Sequence, residues 1–67
     1  MPVVKIIELI GSSPLGWSEA AQNAVTEAAK TIKNIKAVHI KNCNAKVEKN
    51  KIVEYSADVK IAFIVER

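Results

Sequence analysis

This 67-residue chain has little of what usually staples so small a domain. Cys43 is its one cysteine, which excludes an intrachain disulfide and leaves a cysteine-based zinc site at most one ligand. A single unpaired thiol, with no secretory hydrophobic segment, points to the cytoplasm. No apolar run approaches the roughly 20 residues that a membrane helix requires, so no membrane partner is expected. There is no arginine-rich run, no aromatic interleaved with the lysines and no glycine-rich phosphate loop, so a nucleic-acid partner is not expected either. Ser12, Ser13 and Ser18 lack any spacing that would supply a Ser-His-Asp arrangement, and the chain is read as non-enzymatic.

What remains is apolar strand sequence in a chain near the lower limit for independent folding. A domain of this length buries only about 60% of its unfolded surface. With disulfide and metal staples missing, association with further copies of itself is the expected source of extra burial.

Residues 1–67 are read as a single domain of order β-α-β-β. "VVKIIELI" (Val3 to Ile10) is β-branched and apolar on both faces, which predicts a strand. "GSSPLG" (Gly11 to Gly16) predicts a loop. From Trp17 the period changes: Trp17, Ala20, Ala21, Ala24, Val25, Ala28 and Ile32 follow the spacing of one helical face. Gly16 is placed to cap that helix, Glu19 to sit in its first turn, and Lys30 and Lys33 near its far end. A stripe made mostly of alanine lets a helix approach a sheet closely.

A second strand is expected from about Lys36 to Asn44, a turn within Val47 to Lys51, and a third strand through "IVEYSADVKIAFIV". In that last segment Val53, Tyr55, Ala57, Val59, Ile61, Phe63 and Val65 alternate strictly with Glu54, Ser56, Asp58, Lys60, Ala62 and Ile64. It is far longer than the usual 5–6 residues and needs more neighbours than one small chain offers. The expected fold class is α+β, a three-stranded antiparallel sheet packed on one helix. In "NIKAVHIKN", Val38 and Ile40 form the apolar side, while Lys36, Ala37, His39 and Lys41 are assigned to the other. Ala37, His39 and Lys41, with Ser56, Asp58 and Lys60, then fall on the sheet face that the helix leaves uncovered.

Taken in order, "VVKIIELIGSSPLGWSEAAQNAV", "AAKTIKNI" and "KIVEYSADVKIAFIVE" resemble the first strand, loop, helix and long closing strand of the dodecin family, over nearly the whole chain. The resemblance implies a hollow homododecamer that binds flavin, FMN or riboflavin, at subunit interfaces. In that pattern a Trp on the second strand stacks on the flavin ring, and a Gln after the third-strand Tyr bonds its polar edge. Here Ala37 stands in the Trp position and Ser56 follows Tyr55. Losing a stack forfeits roughly 1–3 kcal/mol per ring, at about 1.4 kcal/mol per decade of affinity. The sequence is therefore more similar to a branch of the family without flavin, one relative of which binds calcium. The resemblance makes the chain a small-molecule binding or storage protein, with Ala37, His39, Ser56 and Asp58 lining the ligand sites; a calcium- or anion-binding shell and an assembly without ligand are the alternatives.

Four other features have plainer readings beside functional ones. Trp17 is expected to be a packing anchor. His39 is expected to face solvent or an interface, and Cys43 to be half-buried. The lysines between Lys30 and Lys51 are expected to form a solvated face. Glu54 and Asp58 could offer oxygens to a hard cation, or could simply pattern the solvent side.

Overall fold

The computed structural model describes residues 3–65. It holds β1 (Val3–Ser13), α1 (Trp17–Ala29), β2 (Ile35–Glu48) and β3 (Lys51–Val65). The strands make one antiparallel sheet in the order β1-β3-β2, so the long alternating strand is the central one. The β1–β3 register runs without interruption from Val3↔Val65 to Ser13↔Tyr55. Against β2 it shifts three times, and Lys36 and Lys41 are the residues passed over at the first two shifts. Bulges and lysines are devices that blunt an exposed sheet edge, and β2 carries both.

Cross-strand partners share a face, so the register fixes which residues lie under α1. Ala57, Val59 and Ile61 of β3 are buried there against Ala20, Ala21, Ala24 and Ala28 of α1, with Ile7, Leu9, Val25, Ile32 and Ile35 around them. Five of the seven buried apolar residues are alanines, four of them on α1, which explains how close the helix lies. Gly11 sets the limit: a Cβ there would overlap the Ala20 carbonyl oxygen and approach the Ala24 Cβ to 2.9 Å. Asn23 Nδ2 donates to the Ser12 carbonyl at 2.8 Å and ties the helix to β1 at this point.

The elements differ from the sequence expectation at their ends. β1 continues through Gly11 to Ser13, because the glycine marks close approach of a helix and not a break in the strand. β2 runs to Glu48, and only Lys49 and Asn50, at φ 51° and 64°, form the turn. Two positive φ values match the type I′ turn of a two-residue hairpin, whose twist suits the flanking strands. α1 ends at Ala29 with Lys30 as its C-cap, so Lys33 lies beyond it. Ile32 still packs against the core, its amide donating to the Ala28 carbonyl at 2.9 Å.

Length explains what is left bare. Thirteen helical residues span about 20 Å, while the 15 residues of β3 span about 50 Å. The molecule measures 52 × 20 × 12 Å. Past the Ser13↔Tyr55 pair β1 has ended, and the β2–β3 hairpin continues as a two-stranded arm carrying exposed Val47, Ile52 and Val53. Only Val59 and Ile61 are large and fully buried, against twelve large exposed apolar side chains among the described residues.

Candidate functional site

The face of the sheet turned away from α1 is built in rungs, each contributed by all three strands. Ile6, Ala62 and Ala37 form one rung; Glu8, Lys60 and His39 the next; Ile10, Asp58 and Asn42 the third; Ser12, Ser56 and Asn44 the fourth. All four sequence-derived positions lie on this face, in keeping with strict alternation in β3. They do not form a single site within one chain. Ala37 and His39 flank an open cleft of about 490 Å³, with Ile6, Val38, Lys60 and Ala62 as its other lining. Asp58 is one rung beyond Lys60, about 7 Å along the strand, and Ser56 sits about 20 Å from the Ala62 rung.

The small side chains at Ala37 and Ala62 make the cleft. An aromatic at position 37 would lie on this rung and fill much of it. Val38 and Ile40 pair with Ile61 and Val59, on the helix side as expected. Both nevertheless remain exposed, because α1 packs mainly over β1 and β3 and barely reaches β2. The same cause corrects the expectation for Cys43. It is exposed, not half-buried, although it pairs with Ala57 on the helix side.

Charge on the open face is arranged unevenly. Lys41 Nζ reaches Glu8 Oε2 at 3.4 Å across β3, so the bulge that displaces Lys41 from the ladder also lets it partner β1. At the third rung, Asp58 Oδ1 is buried with no hydrogen-bond partner. An acceptor in that state normally costs free energy unless a donor or cation meets it. No cluster of three His, Cys, Asp or Glu groups stands ready to hold a metal among the described residues.

Trp17 is the anchor that its position suggested. Its ring meets Tyr55 edge-on at 4.8 Å between centroids, with 78° between the planes. Its Nε1–H donates to the Asn44 carbonyl at 2.8 Å, fixing the start of α1 to both strands of the hairpin. The lysines do not form one patch. Lys33 follows α1 at the end where Ile64 donates to the Asn34 carbonyl, while Lys49 and Lys51 lie at the hairpin tip, the opposite end of β3. Lys30 and Lys46 are held in exposed ion pairs with Glu27 and Glu48. That spread is what a solvated surface needs, and sequence adjacency alone had drawn the lysines together.

A β-α-β-β chain folded as one antiparallel sheet with a single alanine-lined helix defines a class of very small α+β protein. Comparison with known proteins gives the class its family. The Dodecin family model matches residues 3–66, and the chain belongs to the dodecin family. It is 29% identical over 63 residues to the calcium dodecin of Mycobacterium tuberculosis, spanning 94% of this chain and 89% of that one. The solved structure of that protein, described as a calcium-chelating antigen with a novel calcium-binding site, matches with a TM-score of 0.83, 26% identity and coverage of 96% and 91%. An arginine-to-alanine mutant of the Thermus thermophilus dodecin superposes over the full length of both chains, with a TM-score of 0.95 and 27% identity. The Streptomyces coelicolor dodecin, at 24% identity and covering 98% and 94%, shares the fold with a TM-score of 0.94. No helix among the described residues is long and apolar enough to cross a membrane.

Proposed function

We propose that this chain is a non-enzymatic subunit of a homododecamer that binds and stores a small molecule at the seams between its sheets. The observation that carries the reading is the imbalance of burial: among the described residues, two large side chains are fully enclosed and twelve large apolar side chains are exposed. So little core leaves a 67-residue chain marginal by itself, and identical neighbours are the available cover. The separation of the candidate positions supports the seam. Ala37 and Ser56 of one chain are too far apart to grip one small ligand, so a ligand touching both positions takes them from different copies. Exposed Cys43 suits a compartment that keeps thiols reduced, and we assign the protein to the cytoplasm.

Flavin is the weaker ligand here, because Ala37 and Ser56 offer neither a stacking ring nor a long amide. Titration of the assembled protein with FMN, read by flavin fluorescence, tests this directly: little quenching is expected, and strong quenching with tight binding would overturn it. The unpartnered Asp58 Oδ1 favours a second reading, in which a hard cation such as Ca²⁺ binds at the seam. Ser12, Ser56, Asn42 and Asn44 on the same and neighbouring rungs add oxygen donors suited to it, and the M. tuberculosis relative supports it. Calorimetric titration with calcium, repeated on Asp58→Asn, decides this reading: heat that disappears in the variant supports it, and an unchanged or absent signal in the native protein removes it.

A further inference from the structure

Ile6 and Ile10 of β1 lie on the face that α1 leaves bare, and they are 59% and 74% exposed. They stand about 14 Å apart along the strand, and the rung between them holds Glu8, Lys60 and His39. A neighbouring sheet that covers both isoleucines therefore covers this rung as well. Glu8 is engaged by Lys41 at 3.4 Å. Asp58 lies on the Ile10 rung, next to Lys60 on the same face of β3. No ion pair or hydrogen bond holds the side chains of Lys60 or His39 among the described residues. The charges around His39 are thus two acids, Glu8 and Asp58, against two lysines, Lys41 and Lys60, and they cancel. α1 packs on the opposite face and brings no charge to this one. The imidazole is the group here whose charge ordinarily changes between pH 5 and 8. A proton on His39 leaves this stretch with one uncancelled positive charge per chain, directly opposite Lys60.

Resting on the reading that copies of the chain join through this face, we infer that His39 makes the assembly pH-sensitive, joined at neutral pH and released in mild acid. Like charges directly opposite on neighbouring strands repel. The repulsion is weak while water surrounds both groups, and it grows when a second sheet excludes that water. The assembled state then binds the His39 proton less readily than the separated chain does. Stability rises with pH wherever the dissociated state holds more protons. Assembly is therefore favoured above the histidine range and lost on descending through it. Identical copies carry the same rung, so the extra charge enters every such seam together.

Sedimentation velocity at low-micromolar concentrations, stepped from pH 8 to about 5.5, follows the assembly directly. The concentration of half-dissociation is expected to rise about tenfold or more over that range, and by less at high salt. His39→Gln, neutral throughout, is expected to remain assembled at both pH values. Should that variant fail to assemble at pH 8, Lys60→Gln takes its place: it removes the opposing cation, and its response to acid is expected to be smaller than the native one. A native assembly equally stable at both pH values overturns the inference, and so does an undiminished response to acid in the variant. The two levels stay distinct: a native protein that does not assemble even at pH 8 sinks the seam itself, whereas an assembly indifferent to acid sinks only the switch.

Discussion

At the scale of single residues, two small side chains decide more than any charged one. Gly11 admits the helix, since any Cβ there meets Ala20 and Ala24. Gly11→Ala should lower stability by about 1–3 kcal/mol, the usual cost of overpacking, seen as a lower urea midpoint. Gly16→Ser, at a position where an added Cβ meets nothing within 4 Å and where a hydroxyl can cap α1, should leave the midpoint unchanged or slightly raised. Equal losses in both variants would mean that the helix does not rest on β1 as described. Ala37 is the second such residue, because its small side chain leaves the cleft beside Ile6 and Ala62 open. Ala37→Trp with Ser56→Gln should raise FMN affinity by at least tenfold, read by fluorescence quenching. No gain would show that these two departures are not what weakens flavin binding. Position 37 stands out in the sequence only through the resemblance to the family pattern. By composition an alanine on a strand signals nothing, and its importance lies in the space that it leaves beside Ile6 and Ala62.

At the scale of elements, legibility followed periodicity. The strict alternation of β3 and the alanine stripe of α1 were readable, because a half-buried strand and a helix face each impose a period on the residues. β1 was read too short, since Gly11 looks like punctuation unless the helix pressing on it is known. β2 extends further than its sequence suggests for a different reason. Cys43, Ala45 and Val47 do alternate with Asn42, Asn44 and Lys46, but the charge and the asparagine of Val47 to Lys51 have the composition of a turn, and only Lys49 and Asn50 form it. Alternation alone places the candidate positions Ser56 and Asp58 on the face away from α1, whereas their distance from Ala37 needs the strand order and register. The hairpin arm beyond Tyr55 is the element with the clearest consequence. A two-stranded ribbon is marginal in water by itself, and this one exposes Val47 and Ile52 as a cross-strand pair on the helix side, past the start of α1. Val47→Lys/Ile52→Lys leaves the buried cluster of Ala57, Val59 and Ile61 untouched. It should nevertheless shift the sedimentation coefficient to that of small species. A variant that sediments as the native assembly would show that the arm is not a contact.

At the scale of the whole molecule, the deciding question is what covers the apolar surface. A helix of about 20 Å cannot cover a sheet of about 50 Å, and on the proposed reading copies of the chain cover the rest. Folding is then linked to association, so the thermal midpoint should rise with protein concentration by mass action, measured by differential scanning calorimetry across a hundredfold range. A midpoint independent of concentration would describe a chain that folds alone. The most direct measurement is the mass in solution by sedimentation equilibrium at micromolar concentration. Twelve copies of the 7.3 kDa chain make about 88 kDa, and that is the predicted mass; a stably folded species of 7.3 kDa would contradict the account.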